Sequence, residues 1–437
     1  MTEGTRQYRS WGRPDAALSR AFRPRWRDFE LPGDEGRVLP FGNGRSYGDS
    51  CLNPGGSVID MRGLDRFISF DTETGVLACE AGVLLDEILR VIVPRGWFLP
   101  VTPGTRFVTL GGAIANDVHG KNHHLAGSFG HHLRRFELLR SDGTRRICSA
   151  DENADWFAAT IGGLGLTGLI TWAEIALKPV HGPAIETEVE QFTDLDRFLE
   201  LSDAAHDDFE YTAAWIDSTR PDPGDMRGLF FRGNHAPAGT PAPAAPRPLP
   251  GPPFTPPFSM VPSLVVRPFN FLTYAKPRAP RGIAHYEPFF YPLDRVANWN
   301  RLFGRRGFFQ HQSVVPRAVA REAVGALIGK VAGTNSGSTL SVLKVFGDAT
   351  PRGLLSFPRP GVTLALDIPD RGARSLELMA DLDRVVMEAG GAIYPAKDAR
   401  MDPAVFRQGF PRWQEFETYR DPGFSSGFWR RVMEENL

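Results

Sequence analysis

The segment Pro103 to His124, PGTRFVTLGGAIANDVHGKNHH, sets two kinds of chemistry side by side. Gly111 and Gly112 lack a Cβ, so the backbone there can take positive φ and approach a ligand closely. Asp117, His119, Lys121, His123 and His124 follow at once, and five of the chain's ten histidines lie between His119 and His132. A carboxylate, imidazoles and an amine in so short a stretch can hold a metal, move protons or brace a loop. His119 and His123 are four apart, the spacing of a metal pair on a helix face, but Gly120 and the loop-like setting work against such a face. The other roles open to His119 are a structural bond to a nearby carbonyl and a place beside a cofactor. Lys397, in YPAKDAR, reads from the residues alone as a solvated lysine in a charged run.

Two further glycine loops accompany this segment, GNGRSYGD (Gly42 to Asp49) and GGLGLTG (Gly162 to Gly168). In the first, Asn43, Arg45, Ser46 and Tyr47 add donors beside Gly42, Gly44 and Gly48, while Asp49 can orient the loop through side-chain to backbone bonds. The last contains a literal G-x-G-x-x-G from Gly163 to Gly168. A dinucleotide fingerprint needs a strand before the glycines and a helix after them, and the expected order here is the reverse. A single loop of this type is a tight turn. Three in one domain can each offer backbone N–H groups to a pyrophosphate, which implies a large phosphorylated cofactor.

The elements that must position these loops follow from periodicity. Between Arg37 and Pro179, β-like runs at Val58 to Met61, Gly75 to Glu80, Phe107 to Leu110, Phe136 to Leu139 and Leu169 to Leu177 alternate with glycine turns. Leu84, Leu85, Ile88, Leu89 and Ile92 recur at helical spacing until Pro94, and a second helix is predicted over Ala154 to Thr160. Ten prolines between Ala236 and Phe258 predict a loop or lid. Around it lie strand-like pieces at Tyr211 to Ile216, His285 to Tyr291, Phe308 to Val315, Leu340 to Phe346 and Val362 to Asp367, with a helix near Ala318 to Val331. Leu376, Met379, Leu382 and Val386 give a helical stripe that ends at Gly390-Gly391, and Ala392 to Tyr394 reads as a strand. This is α+β organisation, and 437 residues predict two domains.

Composition narrows the function classes. Lys plus Arg (50) nearly cancel Asp plus Glu (51), which gives no global electrostatic case for nucleic acid. The basic clusters around Trp26 (Arg23, Arg25, Arg27) and after Trp429 (Arg430, Arg431) read as solvated surface. Three cysteines, Cys51, Cys79 and Cys148, suggest neither a disulfide framework nor a zinc site, and no metal is expected. The first fifteen residues lack the apolar core of a secretory signal and no run approaches the length of a spanning helix, so a cytoplasmic protein is expected, with room for contact at a membrane surface.

Taken in order, GNGRSYGD, then PGT with VTLGGAIANDVHGKNHH, then GGLGLTG resemble the FAD-binding oxidoreductases of the vanillyl-alcohol-oxidase and p-cresol-methylhydroxylase type. Within that type the chain is similar to the decaprenylphosphoryl-β-D-ribose 2′-oxidases. The likeness continues through AAWIDS (Ala213 to Ser218), FFQHQSVVP (Phe308 to Pro316), LKVFG (Leu343 to Gly347), LSFPRPG (Leu355 to Gly361) and YPAKDAR (Tyr394 to Arg400).

The resemblance implies an FAD domain over 1–180 completed by 392–437, and a substrate domain over 181–391 with an antiparallel sheet, helices on one face and the proline-rich loop 236–258. It implies flavin contacts from Pro40 to Ser50 (Gly42, Asn43, Gly44, Arg45, Ser46, Tyr47, Gly48, Asp49 and Ser50 among them), Gly104, Thr109 to Gly112 with Leu110 and Gly111, Asn116, Asp117, Val118, His119, Ile170 and Tyr394. Covalent members of the type often carry a flavin-linking histidine in the first loop; Arg45 stands in that stretch here, which implies dissociable FAD. Lys397, His119 and Tyr47 are the implied catalytic residues, with Lys397 facing the flavin ring and binding the substrate hydroxyl. Trp215, Gln310, Gln312, Lys344, Phe346 and Lys397 are implied to line the substrate pocket. Where members of that family can carry a cysteine on the strand after SFP-x-PG, this chain has Ala365, so that pocket thiol is absent. The implied reaction is oxidation of a secondary alcohol on a sugar, the 2′-hydroxyl of a polyprenylphosphoryl pentose, to a ketone that a partner reductase would return with inverted configuration. An oxygen-using oxidase of free sugars, polyols or aldonolactones is the alternative enzyme, and a flavin-binding electron-transfer or assembly protein the alternative of another class.

Overall fold

The computed structural model describes residues 2–13, 16–32, 37–220, 222, 225–334 and 338–433; the outer ends of the implied domains, Met1 and Leu437, lie outside them. Most strands fall in three sheets. In a four-stranded sheet, Thr2–Arg9, Ala16–Arg23, Ser57–Asp60 and Val38–Phe41 lie side by side. A five-stranded antiparallel sheet orders Phe67–Asp71, Val76–Glu80, Leu169–Ala176, Leu133–Leu139 and Arg145–Ser149. The third is antiparallel throughout and runs Arg281–His285, Ala184–Phe192, Gly228–His235, Tyr211–Ile216, Ser341–Phe346, Gly361–Pro369, Phe308–Val315 and Ala392–Ile393. The fold is α+β.

Period-2 alternation in this last sheet explains how it serves the site. Phe309, Leu343, Leu364 and Leu366 enter the hydrophobic core shared with the helices Ala320–Gly333 and Ala373–Glu388. Their neighbours Gln310, Val342, Lys344, Thr363 and Ala365 point the other way and line a cleft. On the helix side, buried His311 reaches Asp383 of the second helix, Nε2 to Oδ1 3.3 Å. A one-residue slip of these strands would exchange the polar row for the apolar one.

The helix Leu85–Ile92 forms where its stripe predicts. Leu85, Ile88, Leu89 and Ile92 are buried, each burial stabilising by about 1.5–3 kcal/mol. The Glu87 carboxylate accepts from the Leu84 amide at 2.7 Å to close the first turn, and Pro94 begins a separate 3-10 turn. Ala154–Thr160 is helical and Leu169–Ala176 follows it as a strand, so the G-x-G-x-x-G sits in helix-to-strand order as expected. The proline-rich loop has no strand or helix among residues 236–258, only an isolated bridge at Leu249.

Two expected strands are helical instead. Phe107 to Thr109 is irregular and Leu110–Ala115 is a short helix, because the Thr109 hydroxyl accepts from the Gly112 amide at 3.1 Å and starts the turn. His285 ends a strand and Tyr286–Phe290 is helical, with the His285 Nδ1 accepting from the Glu287 amide at 3.2 Å.

Candidate active site

The cleft lies between the glycine loops and the polar face of the eight-stranded sheet. The first loop is held from both sides: Asn43 Nδ2 donates to the Phe107 carbonyl at 2.7 Å, and the Tyr47 amide to the Ala396 carbonyl at 2.8 Å. At Gly44 φ is +59°, which favours glycine, and a Cβ on Gly42 would come within 2.5 Å of the Thr109 hydroxyl. The two loops therefore meet closely at the cleft wall.

Of the expected flavin contacts, Gly42, Asn43, Gly44, Arg45, Ser46, Tyr47 and Ser50 line the cleft from the first loop. Gly104, Thr109, Gly111, Gly112, Asn116, Val118 and His119 line it from the second, and Ile170 and Tyr394 from further along the chain. Gly48, Asp49, Leu110 and Asp117 are not on its wall. Gly48 packs against Asp398, where a Cβ would collide with the carbonyl. Asp49 pairs with Arg431, Oδ1 to Nη2 2.7 Å, and Leu110 is fully buried in the core beneath. Asp117 accepts from the Ser128 hydroxyl (2.9 Å), the Gly130 amide (2.9 Å) and the Ser356 hydroxyl (2.6 Å), so it ties three segments together behind the cleft.

These residues fit FAD. The Ser50 hydroxyl and Arg45 Nε are buried, have no hydrogen-bond partner among the described residues, and belong to side chains on the cleft wall. Both are donors suited to phosphate oxygens. The Arg45 guanidinium is held 4.0 Å from the Trp11 ring centroid and 5.3 Å from that of Phe107. A Cβ on Gly104 would meet no protein atom within 4 Å, so the space beside it on the wall is open to a ligand.

The sheet side of the cleft gathers titratable groups from distant parts of the chain. Lys344 Nζ lies 3.1 Å from His119 Nδ1 and donates to the Gly120 carbonyl at 3.3 Å. On the other side of the ring Gln312 Nε2 lies 2.9 Å from His119 Nε2 and donates to the Thr363 hydroxyl at 3.3 Å, so the imidazole is held at both nitrogens. Burial, and then the charge of Lys344, hold the His119 pKa well below the usual histidine range, so the ring is neutral. Its ring centroid lies 4.8 Å from that of Phe346, edge on. Burial brings the Lys344 amine down to about 7, assisted by Lys121 and Lys397.

Lys397 Nζ sits 3.9 Å from the Tyr47 ring centroid. Burial lowers its pKa to about 8, and Asp367 pulls in the opposite direction. Asp367 accepts from Gln310 Nε2 at 2.5 Å, its other carboxylate oxygen has no partner among the described residues, and burial pushes it up to about 7. Burial, then Asp367, keep the Tyr47 phenol well above its ordinary range and therefore protonated. An amine that can change protonation near neutral pH, next to a hydrogen-bonding wall, is suited to taking a hydroxyl proton or stabilising an alkoxide.

Gln310, Gln312, Lys344 and Lys397 line the cleft, and Trp215 and Phe346 do not. Trp215 directs its indole N–H to the Thr339 carbonyl at 3.0 Å, and Phe346 backs His119 rather than forming the wall. The remaining residues of the histidine segment brace it. Lys121 Nζ donates to the Phe289 carbonyl (2.6 Å), His123 Nδ1 accepts from the Gly347 amide (3.2 Å), and His124 Nε2 bonds the Phe209 carbonyl (3.0 Å). Sequence reasoning did not anticipate Trp11, Asp294 or Trp299 on the wall, nor Asp367 behind it. Nor is the cleft free of thiols: Cys51 lines it at the first loop, where burial raises its pKa to about 12 and keeps it protonated. Ala365 does stand on the cleft wall.

The profile of the FAD binding domain family matches residues 33–149, which include the first two glycine loops. The decaprenylphosphoryl-beta-D-ribose oxidase of Mycolicibacterium smegmatis is 37% identical over 412 residues, 91% of this chain and 89% of that protein. An uncharacterised protein from the mprA 5′ region of Streptomyces coelicolor is 34% identical over 377 residues, 80% of this chain and all of that protein (100%). The delta(24)-sterol reductase of Homo sapiens is 30% identical over 119 residues, only 27% of this chain and 23% of that enzyme. The last of these matches spans about a quarter of this chain, whereas the first two span 91% and 80% of it. Cleft geometry, donor set and likeness over nearly the full length agree: the chain belongs to the decaprenylphosphoryl-β-D-ribose oxidase family of FAD-binding oxidoreductases.

Proposed function

We propose that this chain oxidises the 2′-hydroxyl of a polyprenylphosphoryl pentose to a ketone, the first half of an epimerisation that a separate ketone reductase completes. The observation that carries this reading is the Lys397 amine on the cleft wall against the Tyr47 ring, in the cleft that the His119–Lys344 pair also lines, with its pKa brought to about 8 by burial. FAD, when bound, supplies the hydride acceptor.

The chain's own groups supply the rest. Gln310 and Gln312 offer hydrogen bonds that orient the sugar. As the amine, Lys397 takes the hydroxyl proton at Nζ; as the ammonium, it stabilises the alkoxide. Neutral His119, fixed by Lys344 and Gln312, holds the geometry without competing for that proton. Asp367 acts on Lys397 through charge, favouring the ammonium once the proton has moved. In this reading residues 1–180 with 392–437 hold the cofactor and 181–391 present the substrate, with the cleft between. The interlocking of Tyr47 with Ala396 and of Asp49 with Arg431 supports the return of the C-terminal segment to the first loop.

A single turnover with farnesylphosphoryl-ribose in the absence of oxygen, followed by borodeuteride trapping, tests the reaction. Deuterium at C2′ is expected; deuterium at another carbon, or none, would overturn the assignment.

A further inference from the structure

We propose that the helix Ser263–Ala275, with the proline-rich segment before it and the basic stretch after it, is a surface that docks on an anionic lipid bilayer.

This helix is built inside out. Its buried positions are Val266 and the polar Asn270, whose Nδ2 donates to Asp217 Oδ1 at 2.9 Å and to the Ser338 carbonyl at 3.1 Å. Leu264, Val265, Phe269, Phe271 and Leu272 face solvent, with Leu264 88% and Leu272 65% exposed. The segment leading into it adds Phe254 (68% exposed), Phe258 (70%) and Met260 (54%). Scattered single apolar residues on a surface are ordinary, but eight from one continuous stretch mark an interaction site.

Charge selects the occupant. Between Asp225 and Glu287 the chain has no acidic residue, but it has seven basic ones: Arg227, Arg232, Arg247, Arg267, Lys276, Arg278 and Arg281. This occurs in a chain where Asp plus Glu (51) match Lys plus Arg (50) overall. Arg227 pairs with Asp217, and Arg232 and Arg281 with Glu188. The side chains of Arg247, Arg267 and Lys276 are exposed along the same stretch as the apolar ones. Apolar groups flanked by cations, with carboxylates excluded, suit the boundary between acyl chains and anionic headgroups. No helix of the described residues is long and apolar enough to cross a membrane, which leaves a helix lying in the interface plane.

The surface is also continuous with a segment of the cleft wall. The Leu249 amide donates to the Arg295 carbonyl at 2.7 Å, Arg301 Nη1 to the Pro252 and Pro253 carbonyls at 3.1 Å each, and the Met260 amide to the Leu302 carbonyl at 2.8 Å. Those bonds tie it to residues 293–302, from which Leu293, Asp294 and Trp299 line the cleft. A lipid-linked substrate could then leave its tail in the bilayer while its head enters. The docking inference deepens the lipid-linked reading but stands on the exposed surface, so the two fail separately.

Flotation of the FAD-loaded full chain tests it, using phosphatidylcholine vesicles and vesicles that also contain phosphatidylglycerol. The wild type is expected to float with the anionic vesicles, less so at high salt, and to stay behind with phosphatidylcholine alone. A Leu264→Ser/Phe269→Ser/Phe271→Ser variant should lose at least about tenfold in partitioning, and Arg247→Glu/Lys276→Glu a similar factor. Flavin absorbance and the thermal transition should be unchanged in both. A wild type that does not float, a triple variant that floats equally well, or equal binding to both vesicle types would overturn the proposal. So would sedimentation showing a dimer that the triple variant dissolves, if neither protein binds vesicles. Flavin bleaching by farnesylphosphoryl-ribose without vesicles probes the catalytic reading alone.

Discussion

Replacing Lys397 tests the site's chemistry because its environment sets a quantitative expectation. A lysine at its ordinary 10.5 is only about 0.03% amine at pH 7, whereas one brought to about 8 is about 10% amine, a gain of roughly 300-fold in the proton-accepting form. The sign follows from the shift. Below about pH 8 the ammonium predominates and above it the amine, so flavin reduction should rise roughly tenfold per pH unit below that point and level off above it. His119, held neutral by burial, should contribute no inflection in that range. Lys397→Met should lower the reduction rate by about 10²–10⁴ and abolish the rise. Lys397→Arg keeps a permanent cation, so it should also lose the rise while retaining more rate than the Met variant. The assay is anaerobic stopped-flow bleaching of the FAD-loaded protein with farnesylphosphoryl-ribose across pH. A Met variant within about threefold of wild type, with the same pH profile, would refute the reasoning.

Other regions of the cleft make separate predictions. Gly104→Val fills space that no protein atom occupies, so the thermal transition without FAD should stay unchanged while FAD affinity falls, measured by flavin fluorescence on titration. Arg431→Ala leaves the carboxylates of Asp49 and Asp398, the latter fully buried, without their shared cation; a loss of about 3 kcal/mol in denaturant unfolding is expected, with weaker FAD retention because Asp49 anchors the first loop. With Arg45 in that loop rather than a flavin-linking histidine, acid precipitation should leave all the flavin in the supernatant, and colour that stays with the pellet would count against dissociable FAD.

Much of this organisation is legible in the sequence because strong periodicity coincides with burial. The stripe from Leu85 to Ile92 and the apolar runs at Tyr211–Ile216 and Phe308–Val315 become elements at nearly the expected bounds. Reading failed where a side chain overrode local preference. Phe107 to Leu110 has β-forming residues, but the Thr109 hydroxyl caps the next turn as a helix, and His285 does the same for Tyr286–Phe290. The strand Thr2–Arg9 offers little apolar signal because it lies at the edge of its sheet, paired only with Ala16–Arg23. The glycine loops were readable because their chemistry is local. The sheet side of the cleft was not: His119 meets Lys344 and Gln312 only through pairing of remote strands, and Asp367 reaches the site through Gln310 across a strand pair. Trp215 misled because alternation along its strand leaves open which face meets the cleft.

The central claim is that this FAD-binding oxidoreductase acts on a lipid-linked pentose, and anaerobic bleaching by paired substrates tests it most directly. Farnesylphosphoryl-ribose should bleach the flavin rapidly, and free ribose, polyols and aldonolactones at matched concentration should not. Rapid bleaching by a free sugar, with none by farnesylphosphoryl-ribose, would contradict the account.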